Sequence, residues 1–206
     1  MTVVFLHAFP VDERMWAPQL EALAARRTYA PRLYGRGRSL AAWAAGILGE
    51  VEGELVAVGA SMGGYCALEL ARQAPDRVRG LVLAGSRTAA DSPERRRFRD
   101  ELIEHLRAYG VPPEMPAAAG AEELAAATEA LRDRADASDV LASFAGPVLV
   151  CVGDRDDVLS VEEARSVAAI APDGRLEVFA GAGHLPSVEQ PDSFNGVLSD
   201  FLAPWT

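Results

Sequence analysis

Leu55-Val56-Ala57-Val58-Gly59-Ala60-Ser61-Met62-Gly63-Gly64-Tyr65-Cys66-Ala67-Leu68 reads as a strand, a sharp turn and a helix. The apolar run before Gly59 has the length and valine content of a buried parallel strand, and the residues after Gly64 keep apolar side chains at helical spacing. Ser61 stands at the turn between them. In the pattern Gly59-x-Ser61-x-Gly63 the turn is so tight that positions two before and two after the serine must lack bulky side chains, which lifts the hydroxyl above the sheet edge. A three-position pattern occurs often by chance, and a glycine-rich turn also serves simply to pack a helix on a strand. A nucleophile needs a base, an acid and an oxyanion site in the right order elsewhere in the chain.

The sequence on either side supplies the scaffold for such a site. Short apolar runs at Met1–Leu6, Arg27–Ala30, Leu55–Ala60, Arg79–Ala84, Pro147–Val152 and Leu176–Phe179 read as six strands. Helical patterns fall between most of them, near 17–25, 40–48, 62–75 and 161–170, with a final helix ending at Leu202. This alternation implies a mostly parallel sheet covered by helices on both faces. It breaks between Ser86 and Gly146, where about sixty residues hold no convincing strand and are rich in alanine, arginine and glutamate. Ser92-Pro93 reads as an N-cap followed by proline at the first helical position, opening a helix to about Tyr109. Two more helices are expected near 122–134 and 138–144. The expected organisation is a core of residues 1–86 and 146–206 with a helical lid, 87–145, inserted between strands.

Composition narrows the function classes. At 206 residues, half of them hydrophobic, the chain is long enough for one domain with a real core. A formal charge of −10 disfavours nucleic acid and anionic membrane as partners. All 20 basic residues are arginine, so neither Schiff-base lysine chemistry nor a phosphate-loop lysine is available. Cys66 and Cys151 fall in a helix and a buried strand and read as reduced core residues. No signal peptide or membrane span is visible, which makes a cytoplasmic location the expectation. Arg95, Arg96, Arg97 and Arg99, interleaved with Glu94, Asp100, Glu101 and Glu104, read as a solvated, salt-bridged helix face, and His105 on that helix has the same reading.

A serine hydroxyl needs a base, because it is barely ionised near neutral pH. His184, in Gly181-Ala182-Gly183-His184-Leu185-Pro186 just after the last strand, lies on the sheet edge that carries Ser61. His7, which also follows a strand, is the rival, although its place beside the presumed oxyanion loop favours a structural role. The acid should end another strand on the same edge. Gly153-Asp154-Arg155-Asp156-Asp157 offers three candidates that chemistry alone does not separate. For the oxyanion, one backbone N–H comes from the residue after the nucleophile, Met62, and the second from the loop after the first strand, at Phe9.

The order Ser61, aspartate, His184, together with His7-Ala8-Phe9-Pro10, Tyr34-Gly35-Arg36-Gly37-Arg38-Ser39 and the Gly153 and Gly181 stretches, resembles the α/β-hydrolase superfamily across nearly the whole chain. In flavour it is similar to small lid-bearing esterases and enol-lactonases, including carrier-protein methyl esterases. The resemblance implies a three-layer α/β-hydrolase fold and selects Asp156 as the acid, three residues after the glycine. It implies hydrolysis of a small carboxylic ester through an acyl-enzyme, with no cofactor and no metal. Enol-lactone hydrolysis or cleavage of a C–C bond on the same triad is the alternative chemistry, and a non-catalytic receptor for a small ligand the alternative class. The chain departs from its relatives at Ala8, where glycine is usual, and at Arg32 and Arg36, where aspartate and histidine are frequent. The short lid suggests an open pocket or a small substrate.

Overall fold

The computed structural model describes residues 1–205; residue 206, the last of the expected core segment, lies outside the described residues. Six strands, β1 (Thr2–Leu6), β2 (Thr28–Tyr29), β3 (Leu55–Ala60), β4 (Val78–Ala84), β5 (Val148–Gly153) and β6 (Gly174–Phe179), form one sheet in the order β2-β1-β3-β4-β5-β6. Every neighbouring pair is parallel, so the sheet is parallel throughout rather than mostly so. Nine helices accompany it among the described residues: α1 (Ala17–Ala22), α2 (Leu40–Glu50), α3 (Met62–Gln73), α4 (Pro93–Tyr109), α5 (Ala121–Arg132), α6 (Ser138–Ser143), α7 (Val161–Ile170), α8 (Pro186–Glu189) and α9 (Pro191–Leu202).

The side-chain alternation of a strand divides the core in two. On β1, Val4 and Leu6 join α2, α3 and α7 on one face, while Val3 and Phe5 join Trp16 and the α9 residues Phe194, Leu198 and Phe201 on the other. Because both sets are apolar, the buried strands read as continuous hydrophobic runs. The helices between β4 and β5 share the first of these cores, through Leu106, Leu124, Leu131 and Leu141. Sequence periodicity located these elements closely, with two differences. Glu13–Trp16 forms a 3-10 turn before α1, and the last helix is two, because Pro191 starts a new helix after the non-helical Gln190.

Ser61 occupies the turn from β3 to α3 with φ 48° and ψ −110°. Among the described residues it is the one non-glycine residue with positive φ. Such a conformation costs roughly 1–3 kcal/mol and persists only where the surroundings enforce it. Here they do so by close backbone approach. A Cβ on Gly59 would lie 2.4 Å from the Gly63 carbonyl group, and one on Gly63 would lie 1.9 Å from the Leu6 carbonyl oxygen. These two glycines let α3 begin directly against β3 and β1.

Candidate active site

The ends of β3, β4 and β5 and the loop after β6 bring three side chains into one hydrogen-bonded line. His184 Nε2 is 3.0 Å from Ser61 Oγ, and His184 Nδ1 is 2.8 Å and 3.0 Å from the two carboxylate oxygens of Asp156. A carboxylate only accepts, so Nδ1 carries the proton, and in the neutral ring Nε2 then presents its lone pair to the serine hydroxyl. The Asp156 side chain is fully buried, whereas His184 is partly open to solvent. Burial alone would raise the Asp156 carboxyl. The His184 hydrogen bond and the backbone N–H groups of Leu159 and Val158 outweigh it and hold the group below its ordinary range. Asp156 is therefore ionised where it faces the imidazole.

The other two aspartates of that turn go elsewhere. Asp154 accepts from the Gly181 N–H at 2.7 Å, bracing the loop that carries His184, and Asp157 is exposed. His7 is wholly buried: its Nδ1 donates to the Ala8 carbonyl and its Nε2 accepts from the Leu33 N–H, both at 2.9 Å. Burial lowers its pKa, consistent with a neutral ring used as a strut. Both ring nitrogens are occupied, so His7 is not a base for Ser61. It ties the loop after β1 to the segment before α2.

Phe9 follows β1 and Met62 opens α3, on strand ends that pair in register from Thr2 with Leu55 to Leu6 with Gly59. Neither amide donates to a protein acceptor among the described residues. Both are thus unspent N–H groups just past the ends of neighbouring strands. Arg36 forms a two-point pair with Glu50 at 2.9 Å, and Arg32 bonds Glu123 and the Ala118 carbonyl, so both arginines serve the scaffold. The two cysteines are buried and unbonded, and burial pushes the Cys66 thiol up to about 12 and the Cys151 thiol higher still. Among the described residues no group of three or more His, Cys, Asp or Glu side chains is placed to hold a metal ion, and no helix is long and apolar enough to cross a membrane.

Sequence reasoning missed the part played by the end of β4. The Ser61 N–H donates to the Ala84 carbonyl at 2.7 Å, and the buried Ser86 hydroxyl donates to the Ser61 carbonyl at 3.0 Å. Between them, Gly85 has φ 62° and faces the imidazole of His184. The only sequence signal was Gly85-Ser86 following a strand that ends level with the nucleophile. That signal has meaning only once β4 is known to be the neighbour of β3.

Residues 3–197 match the Alpha/beta hydrolase family. The chain is 28% identical to the pimeloyl-[acyl-carrier protein] methyl ester esterase of Aromatoleum aromaticum, over 97% of each chain. It is 29% identical to the dihydrolipoyllysine-residue acetyltransferase component of the acetoin cleaving system of Cupriavidus necator, where it covers 98% of this chain and 63%, less than two thirds, of that protein. Among solved structures, a thermophilic esterase from Thermogutta terrifontis with malate bound superposes with a TM-score of 0.89 at 29% identity, covering 99% of this chain and 90% of that one.

Proposed function

The chain belongs to the alpha/beta hydrolase family, and from that premise we propose that it is a serine esterase that cleaves small carboxylic esters through an acyl-enzyme. The observation that carries this reading is the unbroken hydrogen-bond line from Ser61 through His184 to the buried carboxylate of Asp156, with the serine held at positive φ. Esterases among its relatives support the same class.

In the proposed mechanism His184 Nε2 takes the hydroxyl proton as Ser61 Oγ attacks the ester carbonyl carbon, and Asp156 stabilises the imidazolium that forms. The Phe9 and Met62 amides receive the oxyanion, a role in which one lost donor typically costs about 3–4 kcal/mol of barrier. Collapse of the tetrahedral intermediate expels the alcohol, which takes the proton from His184. Water, activated by the same imidazole, then attacks the acyl-enzyme and releases the acid.

Residues 87–145 act as the lid in this reading. Ala118, between α4 and α5, donates its N–H to the Pro10 carbonyl at 3.0 Å beside the proposed oxyanion loop, and Arg38 pairs with Glu122 and Glu129 of α5. These contacts support a roof fastened on the Phe9 side, over a pocket for a small ester or lactone.

A fluorophosphonate probe tests the assignment. The native protein should be labelled promptly and Ser61→Ala not at all. Hydrolysis of p-nitrophenyl butyrate should fall on the order of 10⁴-fold or more in His184→Ala. An unlabelled native protein, or a His184→Ala variant as active as the native one, overturns the proposal. A panel of acyl lengths and lactones then ranks the substrates.

A further inference from the structure

His184 is placed by its neighbours in the chain rather than by its own backbone. Among the described residues, neither its N–H nor its carbonyl forms a hydrogen bond. The amides on either side are bonded instead, and to one group. The Glu189 carboxylate accepts from the Gly183 N–H at 2.6 Å through Oε2 and from the Leu185 N–H at 2.9 Å through Oε1. The first N–H belongs to the peptide unit before Gly183 and the second to the unit that carries the His184 carbonyl. The carboxylate therefore spans the His184 Cα, and hydrogen bonds to an ionised acceptor are roughly twice as strong as neutral ones.

The local sequence builds this bridge. Pro186 opens the single turn of α8, and Glu189 stands four residues after Leu185, on the same side of that turn. Gly183 admits the carboxylate, because a Cβ there would lie 3.2 Å from Glu189 Oε2 and 3.3 Å from Oε1. Both ends of the segment are fixed from outside it. Upstream, the Arg155 N–H donates to the Ala182 carbonyl at 2.9 Å. Downstream, the wholly buried Gln19 of α1 donates to the Ser187 carbonyl at 3.0 Å. Between these anchors the Gly183 and Leu185 N–H groups have no other acceptor among the described residues. Glu189 is exposed and enters no ion pair among the described residues, so these two amides are what its carboxylate serves.

One imidazole nitrogen must meet the serine, the leaving alcohol and the attacking water in turn. His184 Nε2 is 3.0 Å from Ser61 Oγ, and Asp156 holds the opposite nitrogen. A ring held at Nδ1 still pivots if its Cα moves, and the Cα is what Glu189 fixes. Resting on the serine-esterase reading, we propose that Glu189 is a positioning residue for the reaction. Its carboxylate sets the direction in which His184 presents Nε2 to Ser61, although it bonds no member of the triad.

Turnover of p-nitrophenyl butyrate, measured well below Tm, tests this. Glu189→Ala should lower kcat on the order of tenfold to a hundredfold, with KM changed by less than about threefold. Glu189→Gln, which keeps one acceptor oxygen, should lose less. In a His184→Ala background the loop has no base to aim, so adding Glu189→Ala should change the residual rate by less than about twofold. A kcat unchanged in both Glu189 variants, or an equal loss in the His184→Ala background, overturns the proposal. If the native protein hydrolyses no ester, the esterase reading fails by itself. The positioning role is then judged by the carbon-bound ring-proton NMR resonances of His184, assigned by their loss in His184→Ala. They should move in Glu189→Gln while those of the buried His7 stay in place. Unmoved His184 resonances, or a matching shift at His7, overturn the proposal.

Discussion

Replacing Gly85 by alanine should damage the reaction more than the fold. The new Cβ would lie 2.9 Å from His184 Cε1, 2.9 Å from the His184 carbonyl oxygen and 3.1 Å from Nδ1. Ordinary carbon contacts begin near 3.4 Å, so the histidine and the glycine must separate by about half an ångström. The β4 side cannot yield. The Gly85 N–H is bonded to the Cys151 carbonyl at 3.0 Å, and Ala84 and Ser86 on either side are bonded to the Ser61 backbone. The displacement therefore falls on His184, backbone and ring, and the ring's hydrogen bonds among the described residues are its 3.0 Å contact to Ser61 and its pair with Asp156. Misplacement of this size should lower kcat roughly tenfold to a hundredfold. The left-handed φ of 62° and the imperfect repacking should together cost about 2–4 kcal/mol of stability. For a chain of this length that corresponds to a fall in Tm of very roughly 4–16 °C. The assay is p-nitrophenyl butyrate turnover well below Tm, run beside a thermal melt. A lowered Tm with unchanged kcat would refute the reasoning, because it would mean that the imidazole tolerates the contact.

Three further outcomes follow from buried groups. Asp91→Asn leaves the largely buried Arg99 and Arg134 without their shared charge, and should cost about 3–5 kcal/mol in a denaturant melt. His7→Leu orphans the Ala8 carbonyl and the Leu33 N–H, each worth about 1–3 kcal/mol when buried. It should also slow ester hydrolysis by loosening the loop that carries Phe9. Asp156 has a folded pKa below its unfolded value of 3.8, so its contribution to stability is present above that pH and is lost as pH falls through the lower, folded value. Melting curves across that acid range should show the native protein losing stability that Asp156→Asn never had; parallel curves would count against the ionised Asp156–His184 pair.

How much of this was legible in the chain depends on the range of the interaction involved. Gly59-x-Ser61-x-Gly63 and its flanking apolar runs announced the elbow, because tight-turn sterics and buried-strand composition are local properties. The six strands, the Ser92-Pro93 start of α4 and the position of His184 after the last strand were readable for the same reason. Tertiary structure alone decided the remainder. Spacing left Asp154, Asp156 and Asp157 equivalent, and the family resemblance had to choose. In the fold, the backbone of that turn sends Asp156 toward His184, Asp154 to the Gly181 amide and Asp157 to solvent. The charge pattern of α4 predicted four solvated arginines, yet Arg99 is largely buried, because its side chain folds back onto the wholly buried Asp91 carboxylate before the helix. The clamp formed by Ala84, Gly85 and Ser86 was equally invisible, since a strand's sequence does not say which strand will lie beside it. The sequence by itself determined which residues can do the chemistry; only the packing of β4 against β3, and of the β5 and β6 loops over both, decided which of them meet.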